Sequence, residues 1–451
     1  MNAADTEILH RILTDKGYLP DAVAPSVHLL VTCAIRDNAE AVIWRRLRGL
    51  QTLRKNGGHV GVLGCMAERL KTKLLEGDRL VDVVCGPDAY RDLPSLLQKV
   101  AVENDPDGFG AANVQLSADE TYADIAPLSL DSHRVAANLS IMRGCNNMCT
   151  FCIVPFTRGT ERSRPLDSIL QEVRYLSDMG IKEITLLGQN VNSYRDLSSL
   201  PVREHADALS SEGFSTIYRK REGGLRFADL LHHVSQVDPR MRIRFTSPHP
   251  QYFPMDVLEV IRDTPNIVRQ VHLPAQSGNT EVLKRMGRGY AREAYLDLAQ
   301  RIRDTIPGVT LSSDFIVGFC GETDAEFEDT LTLVEQVRFE MAFCFKYSMR
   351  EKTKAHRRLQ DDVPEDTKKD RLARLMATYT RHRDERIDAA IGKPCEVLIT
   401  HKSNKGLERW LGRNQYGLKV AVTPTSDLGP IQIGDHVHVV PTSRHASTLI
   451  C

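Results

Sequence analysis

Short apolar runs alternate with amphipathic helical patterns through the first hundred residues. The runs are rich in β-branched side chains and occupy 27–33, 59–65 and 80–86. Between the first two runs, apolar residues recur at helical spacing over 39–57. This alternation predicts a small parallel α/β sheet domain covering residues 1–100.

Two cysteines, Cys33 and Cys65, stand at the ends of the first two apolar runs. The carboxyl ends of parallel strands meet at one edge of a sheet, where open α/β sheets place their ligands. We therefore expect these two thiols, distant in sequence, to be neighbours in space.

A second βα series begins near residue 131. The polar segment 101–130 before it lacks apolar periodicity and is interpreted as an inter-domain linker. Six strand-like runs then recur with helical patterns between them, at 137–142, 183–188, 241–246, 268–273, 310–316 and 342–348. This rhythm predicts an α/β partial (β/α)6 barrel over 131–386, with its chemistry at the carboxyl ends of the strands. The stretch 196–223 breaks the rhythm and is interpreted as a flexible surface insertion.

The last part of the chain changes character. A charged helical pattern at roughly 365–388 is followed by short strands and turns over 389–451, which predict a small all-β module. Seven Lys and Arg residues face four Asp and Glu residues in that module, so RNA contact is a hypothesis that competes with an ordinary solvated surface.

The overall charge gives no sign of a nucleic-acid or membrane partner, since 59 basic residues balance 59 acidic ones. We expect no membrane association, because no apolar run approaches the roughly 18–20 residues that a membrane span needs. The first residues resemble neither a signal peptide nor a mitochondrial presequence. With ten cysteines, the chain is expected to work in a reduced compartment inside the cell.

Three of the cysteines, Cys145, Cys149 and Cys152, have C-x3-C-x2-C spacing directly after the first predicted barrel strand. A structural zinc ion is disfavoured, because His133 is the only histidine within about fifteen residues and no second Cys pair follows. A disulfide would leave one thiol over and does not suit a reduced compartment. Inert buried thiols are a further alternative, although Asn146, Asn147 and a preceding glycine predict an exposed loop at the catalytic edge. A 4Fe-4S cluster held by three thiolates keeps one iron open for a substrate or cofactor, which suits three thiols without a fourth.

At this point the residues resemble a known family, the radical S-adenosylmethionine enzymes. The segment LSIMRGCNNMCTFCIVPFTRGTERSRP (139–165) resembles the signature of their methylthiotransferase branch, of the type that makes 2-methylthio-N6-dimethylallyladenosine in tRNA. The similarity continues through LLGQNVNSY (186–194), RIRFTSPHP (242–250), HLPAQSG (272–278) and DFIVGFCGET (314–323). The chain looks most like the eukaryotic branch called cyclin-dependent kinase regulatory-subunit-associated proteins in TCAIRDNAE (32–40), in the insertion and in YSMREKTKAHRRL (347–359). The C-terminal module resembles the RNA-binding TRAM domain.

The resemblance implies an activity and its partners. One S-adenosylmethionine molecule would donate a methyl group, and a second would yield the radical that abstracts hydrogen from C2 of an N6-isopentenylated adenosine beside the anticodon. The implied partners are the tRNA anticodon stem-loop and an electron donor such as a flavodoxin or ferredoxin system. The implied compartment is mitochondrial, with a cytoplasmic location as the alternative.

The resemblance also assigns ligands. Cys145, Cys149 and Cys152 would hold the cluster that binds S-adenosylmethionine, and Cys33 and Cys65 would hold an auxiliary 4Fe-4S cluster. The third auxiliary cysteine of the family falls just upstream of Met1. Cys85 is a candidate substitute because it also ends a strand, but packing in the core is the favoured interpretation. From this we expect the chain as printed to cleave S-adenosylmethionine but to transfer sulfur poorly.

Further residues resemble family segments that line the cofactor and substrate side. These are Gly188, Gln189, Asn190, Ser247, His249, Gly318, Gly321 and Glu322. Ordinary βα turns are the alternative for the glycines. Arg158 and Arg162 are candidates for phosphate or the methionine carboxylate, with a solvated surface as the alternative. The isolated thiols are expected to be structural or free, namely Cys320, Cys344, Cys395 and Cys451.

Two rival functions stay open at this stage. The same machinery could act on threonylcarbamoyladenosine in tRNA or on an aspartate of a ribosomal protein. Alternatively, the chain could be a non-enzymatic regulator that binds a kinase activator, with a vestigial cluster site. The complete C-x3-C-x2-C argues against that last hypothesis, since a vestigial site has no need of all three thiols.

Overall fold

The computed structural model describes residues 1–34, 37–76, 80–102, 110–131, 133–198, 214, 223–403 and 408–451. The chain forms two compact units, each built from separate segments. The first contains Met1–Ser132, Met142–Arg164 and Ser348–Arg357, and the second contains His133–Ile141, Pro165–Tyr347 and Arg358–Cys451. Within the described ranges, no helix is long and apolar enough to cross a membrane.

The first unit is built on the predicted parallel sheet. Its strands, in spatial order, are β1 (Val27–Thr32), β2 (His59–Gly64), β3 (Val83–Cys85) and β4 (Ala111–Asn113). The helices are α1 (Asn2–Thr14), α2 (Asp37–Gly49), α3 (Gln51–Lys55), α4 (Cys65–Leu70) and α5 (Leu93–Val102). The parallel sheet that the sequence predicted is therefore confirmed.

The side chains of the strands in this sheet belong to two apolar clusters, one on each face. Successive residues of a strand point to opposite faces, so they alternate between the two clusters. Leu29 and Val31 pack in a cluster with α1 and α5. Leu30, between them in sequence, packs in a second cluster with α2 and α4. Helices therefore cover both faces of the sheet, as parallel sheets require.

The segment interpreted as a linker contributes to this first unit. Its residues Ala111–Asn113 form β4, which pairs with β3. Tyr122 is 2 % exposed and stacks on Tyr90 with ring centroids 5.6 Å apart. The sequence did not reveal this packing, because a three-residue strand and a single aromatic anchor are too short to produce periodicity.

The second unit contains the predicted barrel strands. These are β5 (Ala136–Ser140), β8 (Glu183–Leu187), β11 (Arg242–Phe245), β12 (Gln270–His272), β13 (Thr310–Val317) and β14 (Met341–Lys346). Their order is β5-β8-β11 and β12-β13-β14, all parallel, and a parallel bridge from Ile243 to Ile267 joins the two sheets. The partial (β/α)6 barrel is therefore confirmed in the part of the chain that the structure describes.

Helices follow these strands as predicted. They are α7 (Leu166–Asp178), α8 (Phe227–Ser235), α9 (Met255–Asp263), α10 (Thr280–Arg285), α11 (Arg292–Thr305) and α12 (Asp324–Val337). Most of the predicted insertion at 196–223 lies outside the described residues. The chain on either side of it pairs through β9 (Arg195–Asp196) and β10 (Leu225–Arg226).

The C-terminal part begins with α14 (Glu365–Asp388), which matches the predicted charged helix. A sheet follows, formed by β15 (Cys395–Lys402), β16 (Trp410–Asn414), β17 (Lys419–Val422), β18 (His436–Val439), β19 (Ser443–His445) and β20 (Thr448–Ile450). This sheet contacts the amino ends of barrel strands, where Thr310 Oγ1 donates to the carbonyl of Tyr416 and the Arg269 amide donates to that of Gln415. These contacts lie at the end of the barrel strands opposite to the carboxyl ends, where the chemistry is predicted.

The remaining elements are short. They are β6 (Met142–Arg143), α6 (Val154–Thr157), β7 (Arg162–Ser163), α13 (Lys354–Arg358) and 3-10 turns at Lys71–Leu74, Tyr90–Asp92, Val191–Ser193, Pro250–Tyr252 and Ser426–Leu428.

Candidate functional site

The C-x3-C-x2-C segment is a closed loop in the first unit. Strands β6 and β7 pair antiparallel at its base, and the Cys145 amide donates to the carbonyl of Gly159 over 3.2 Å. Gly144 has a φ of 74°, and a Cβ there would overlap the backbone of Thr160. A glycine is therefore required immediately before the first cysteine for the loop to close.

The three thiols differ in exposure but influence one another. Cys145 and Cys149 are each 8 % exposed, and Cys152 is half-buried. Burial raises the pKa of the Cys145 thiol, and negative charge on Cys152 and Cys149 raises this pKa further. The Cys145 thiol is therefore under the electrostatic influence of the other two.

The donor set fits an iron–sulfur cluster better than a single metal ion. Among the described residues, no group of three or more His, Cys, Asp or Glu side chains is arranged to hold one metal ion. A 4Fe-4S cluster takes each thiolate on a different iron, so its ligands need not converge on one point. Three thiols on one short closed loop suit that group and leave one iron without a protein ligand.

Cys33 and Cys65 lie side by side at the carboxyl edge of the first sheet. Strands β1 and β2 pair in register up to Thr32 and Gly64, and each cysteine is the next residue. Cys65 also begins α4 and is 8 % exposed. The parallel register thus brings the two residues to neighbouring strand ends. The proximity of their sulfur atoms stays a prediction.

A buried group of charges contacts this edge. The Arg158 Nε donates to the sulfur of Cys65 over 3.0 Å, and its Nη2 donates to Asp5 Oδ2 over 2.7 Å. Arg143 Nη2 lies 2.9 Å from the other oxygen of Asp5. Burial by itself would raise the pKa of Asp5, but the two guanidinium groups outweigh it and hold that pKa below its usual value.

Neither arginine singled out from the sequence lies on a solvated surface. Arg158 is 2 % exposed and Arg162 is 6 % exposed. Arg162 Nη1 donates to Asp88 Oδ2 over 3.0 Å and to the carbonyls of Ser117 and Asp119. The alternative of a solvated surface is therefore wrong, because both guanidinium groups are used to join segments of the first unit.

In the second unit, the loop after β8 contains side-chain oxygens that lack hydrogen-bond partners. Gly188, Gln189 and Asn190 follow the strand directly. Within the described part of the chain, the buried Gln189 Oε1 and Asn190 Oδ1 accept no hydrogen bond. Buried oxygens in this state are rare in native structures and mark a place where a donor from a ligand can bind.

The loop after β11 is tied to the loop after β8. Asn192 Nδ2 donates to the carbonyl of His249 over 2.9 Å, and its Oδ1 accepts from the His249 amide over 2.8 Å. Ser247 has a φ of 62°, unusual for a residue with a side chain, and its carbonyl accepts from the Val191 amide. Burial, with the charge of Arg288, holds the pKa of His249 well below its usual value, so this imidazole is neutral.

The loop after β13 is closed by Glu322. Its Oε2 accepts from the Gly318 amide over 2.6 Å and from Arg371 Nη1 over 3.0 Å. Its Oε1 is buried and has no hydrogen-bond partner among the described residues, and burial raises the pKa of this carboxyl. Gly318 and Gly321 both have positive φ, near 70°, so these two positions favour glycine for conformational reasons.

The other cysteines belong to neither of the two cysteine sets. Cys85 is fully buried in the cluster with α1 and α5, and its thiol donates to the carbonyl of Ala89 over 3.2 Å. Cys395 and Cys451 pack in the core of the C-terminal sheet. Cys320 is buried and Cys344 is half-buried.

Sequence reasoning missed two polar residues that organise these groups, Asp5 and Asn192. Asp5 lies on the face of α1 that also buries Ile8, Leu9 and Ile12, so an acid on an apolar helical face was the available signal. Asn192 belongs to the quoted LLGQNVNSY segment, but its hydrogen bonds join segments that are distant in sequence and had no signal of their own.

Comparison with known families accounts for most of the chain. Residues 139–334 match the model of the radical SAM superfamily. Residues 1–86 match the model described as uncharacterized protein family UPF0004.

Relatives of similar length cover the whole chain. It is 49% identical over 466 residues to the mitochondrial tRNA methylthiotransferase CDK5RAP1 of Mus musculus, covering 100% of this chain and 78% of the relative. It is 47% identical to the CDK5RAP1-like protein of Caenorhabditis elegans, covering 100% and 82%. It is 45% identical to the tRNA-2-methylthio-N(6)-dimethylallyladenosine synthase of Chloroherpeton thalassium, covering 100% and 93%.

A solved structure supports the fold alone. The radical S-adenosylmethionine methyltransferase TsrM from Kitasatospora setae superposes with a TM-score of 0.52 at 14% identity, covering 76% of this chain and 71% of that one. The cysteine loop, the parallel barrel strands and the full-length similarity agree. The chain belongs to the radical S-adenosylmethionine tRNA methylthiotransferase family, whose members are enzymes that use a 4Fe-4S cluster and S-adenosylmethionine.

Proposed function

We propose that this chain converts N6-isopentenyladenosine beside the anticodon of tRNA into its 2-methylthio derivative. The observation that carries the proposal is full-length similarity, at 45%, to an enzyme named tRNA-2-methylthio-N(6)-dimethylallyladenosine synthase. In the overall change, the C2–H bond of the adenine breaks, a C2–S bond forms, and the hydrogen leaves in 5'-deoxyadenosine made from one S-adenosylmethionine. The sulfur enters as sulfide, and the electron used to cleave S-adenosylmethionine is returned when the C2–S bond has formed. The methyl group comes from S-adenosylmethionine.

Cys145, Cys149 and Cys152 would hold the cluster to which S-adenosylmethionine binds. When bound, such a cluster supplies the electron that cleaves S-adenosylmethionine reductively. The closed loop fixes the three sulfurs before any metal arrives, because β6, β7 and Gly144 set its backbone. Ordering the ligands in advance lowers the entropic cost of binding the cluster.

The loops at the carboxyl ends of β8, β11 and β13 would bind the organic part of the cofactor and the adenine. Gln189 Oε1 and Asn190 Oδ1 are buried acceptors that would receive hydrogen bonds from amino groups. The neutral His249 is held by the hydrogen bonds of Asn192, and the carbonyl of the left-handed Ser247 accepts from the Val191 amide. Both residues would shape the same surface. Gly188, after β8, would leave room for the cofactor beside the backbone. Gly318, with its positive φ, would let the backbone turn after β13, and Glu322 would hold that turn by accepting from the Gly318 amide.

We also propose that Cys33 and Cys65 ligate an auxiliary 4Fe-4S cluster. Their adjacent positions at one sheet edge and the guanidinium contact to Cys65 support the proposal. Two clusters predict about eight iron atoms per chain, and one cluster predicts about four. Iron analysis of Cys33→Ser and Cys65→Ser should therefore show a loss of about half of the iron.

Three further parts of the proposal concern partners and place. The C-terminal sheet would contact the tRNA, and a flavodoxin or ferredoxin system would supply electrons. A mitochondrial location is supported by the names of the mouse, rat and human relatives. Cell fractionation tests the location, and the reduction of the reconstituted protein by each donor tests the electron source.

Nucleoside mass spectrometry tests the main proposal. Cells that lack the endogenous enzyme should regain a low but measurable level of 2-methylthio-N6-isopentenyladenosine in tRNA when this chain is expressed. Cys149→Ser should leave N6-isopentenyladenosine unconverted, whereas the matched control Cys451→Ser in the C-terminal sheet should restore the product. Restoration of 2-methylthio-threonylcarbamoyladenosine instead, or an unchanged tRNA profile, would contradict the proposal.

A further inference from the structure

We propose that Arg158 is a positioning residue that fixes the Cys65 sulfur and raises the reduction potential of the auxiliary cluster. This inference rests on the proposed function, because it needs Cys65 to be a cluster ligand. The sequence singled out Arg158 but not its pairing with Cys65, because the two residues are 93 positions apart.

The contact between the guanidinium and the sulfur is short and shielded from water. Arg158 Nε lies 3.0 Å from Cys65 Sγ, and the two residues are 2 % and 8 % exposed. A hydrogen bond from a charged donor is stronger than one between neutral groups, and water competes little for it at this depth.

Asp5 prevents the guanidinium from turning away. Its Oδ2 accepts from Arg158 Nη2 over 2.7 Å, and its other oxygen is 2.9 Å from Arg143 Nη2. The main chain is held as well, because the carbonyl of Arg158 accepts from Arg162 Nη2 over 3.0 Å. Arg158 Nη1 is buried and has no hydrogen-bond partner within the described residues, so one donor is left for a further acceptor beside Cys65.

The same segment also packs against Cys65. Ile153 and Cys65 share a small buried cluster with Ala34, and Phe156 packs against its edge. Ile153 directly follows Cys152. Arg158 is the residue directly after α6, the short helix that begins at Val154. The peptide that leaves the first set of cysteines thus contacts a ligand of the second set through both apolar side chains and a charged donor.

A donor to a ligand sulfur stabilises the extra negative charge of the reduced cluster. Hydrogen bonds to the sulfurs are among the factors that set the potential of iron–sulfur clusters. Removing the Arg158 donor should therefore shift the auxiliary cluster to a more negative potential without necessarily removing the cluster.

The experiment is a redox titration of the reconstituted full-length chain, followed by electron paramagnetic resonance. The signal of the cluster held by Cys145, Cys149 and Cys152 is identified by its response to S-adenosylmethionine. The other signal is assigned to the auxiliary cluster. For Arg158→Gln, we expect the ratio of reduced to oxidised auxiliary cluster at fixed potential to fall about tenfold, which is ~59 mV for one electron. Arg158→Lys should recover part of the shift.

Arg54→Gln is the matched control. Arg54 also belongs to the first unit and pairs with a carboxylate, that of Asp82. Its Nε donates to Oδ2 over 3.0 Å and its Nη2 donates to Oδ1 over 2.5 Å. Among the described residues, its hydrogen bonds and ion pairs involve no cysteine. This variant should leave the auxiliary potential unchanged. Circular dichroism and urea unfolding of each variant separate a changed potential from a damaged fold.

The outcomes are distinguishable. An auxiliary cluster that is present with an unchanged potential in Arg158→Gln overturns the inference alone, as does an equal shift in Arg54→Gln. A wild-type chain that binds only the S-adenosylmethionine cluster overturns both the inference and the auxiliary ligand assignment. Failure to make the methylthio nucleoside, with both clusters present, counts against the proposed function and not against the role of Arg158.

Discussion

The backbone of Gly318 lies directly against the side chain of Lys368. A Cβ at position 318 would overlap Lys368 Cγ, close to the root of that side chain. Lys368 cannot yield easily, because it is 4 % exposed and its Nζ is paired with Asp361 over 2.5 Å. The loop at the carboxyl end of β13 is therefore fitted against α14 without space for a larger residue.

Gly318→Ala should lower the free energy of unfolding by about 2–4 kcal/mol, the sum of a strained positive φ and an overpacked contact. Gly180→Ala is the matched control, because Gly180 has a φ of 83° but no atom within 4 Å of its missing Cβ. Urea unfolding should show the larger loss for Gly318→Ala, and equal losses would refute the contact as a cause. Adding Lys368→Ala should recover part of the difference.

Replacing Asn192 should loosen the two loops at the ends of β8 and β11. In the wild type, the side-chain amide of Asn192 donates to the carbonyls of His249 and Tyr252. Asn192→Asp keeps the shape of the side chain but places a carboxylate against these two carbonyls. We expect a loss of about 2–3 kcal/mol in unfolding free energy and weaker binding of S-adenosylmethionine. Equilibrium dialysis measures the binding. Ser193→Ala, which removes one hydrogen bond to Asn190 in the same turn, should have the smaller effect.

The carboxyl of Glu68 should make the stability of the first unit depend on pH. Burial raises the pKa of Glu68 from 4.5 to about 7, although Lys71 opposes the shift. The folded chain then binds a proton that the unfolded chain has released, so stability falls as pH rises from about 4.5 to 7 and changes little above. Glu68→Gln removes this dependence.

The measurement is urea unfolding at pH 5 and pH 8. Wild type should lose up to about 3 kcal/mol more than Glu68→Gln between the two values. Glu76→Gln, at an exposed position of the same unit, is the control and should behave as wild type does. A parallel pH response in wild type and Glu68→Gln would show that another group is responsible.

Arg242 should hold the C-terminal sheet to the barrel. Its Nη1 donates to the carbonyl of Arg413 over 2.8 Å, and its Nη2 donates to Glu396 Oε1 over 3.0 Å. Arg242→Gln removes the guanidinium donor from these half-buried acceptors, at a cost of about 1–2 kcal/mol. Limited proteolysis should then cleave first within 389–451. Arg262→Gln, which loses only an exposed pair with Asp263, should be cleaved as slowly as wild type.

The local elements could be predicted from the sequence with different accuracy. The bounds of strand β13 and helix α14 were predicted to within a residue or two. The order of apolar and polar residues in a long segment indicates which of its positions are buried. Strand β4 was missed because its pairing with β3 depends on residues distant in sequence. The arginine contact to Cys65 was missed for the same reason, since no local pattern pairs position 158 with position 65.

The sequence by itself determined the parallel α/β sheet, the partial barrel and the three-thiol loop, because strand periodicity and cysteine spacing are local properties of the chain. Only the tertiary structure decided that Arg158 is buried against Cys65, that Asn192 joins two loops and that Lys368 fills the space beside Gly318. These contacts join segments that the fold brings together, and their strength comes from burial, which depends on every neighbouring element at once.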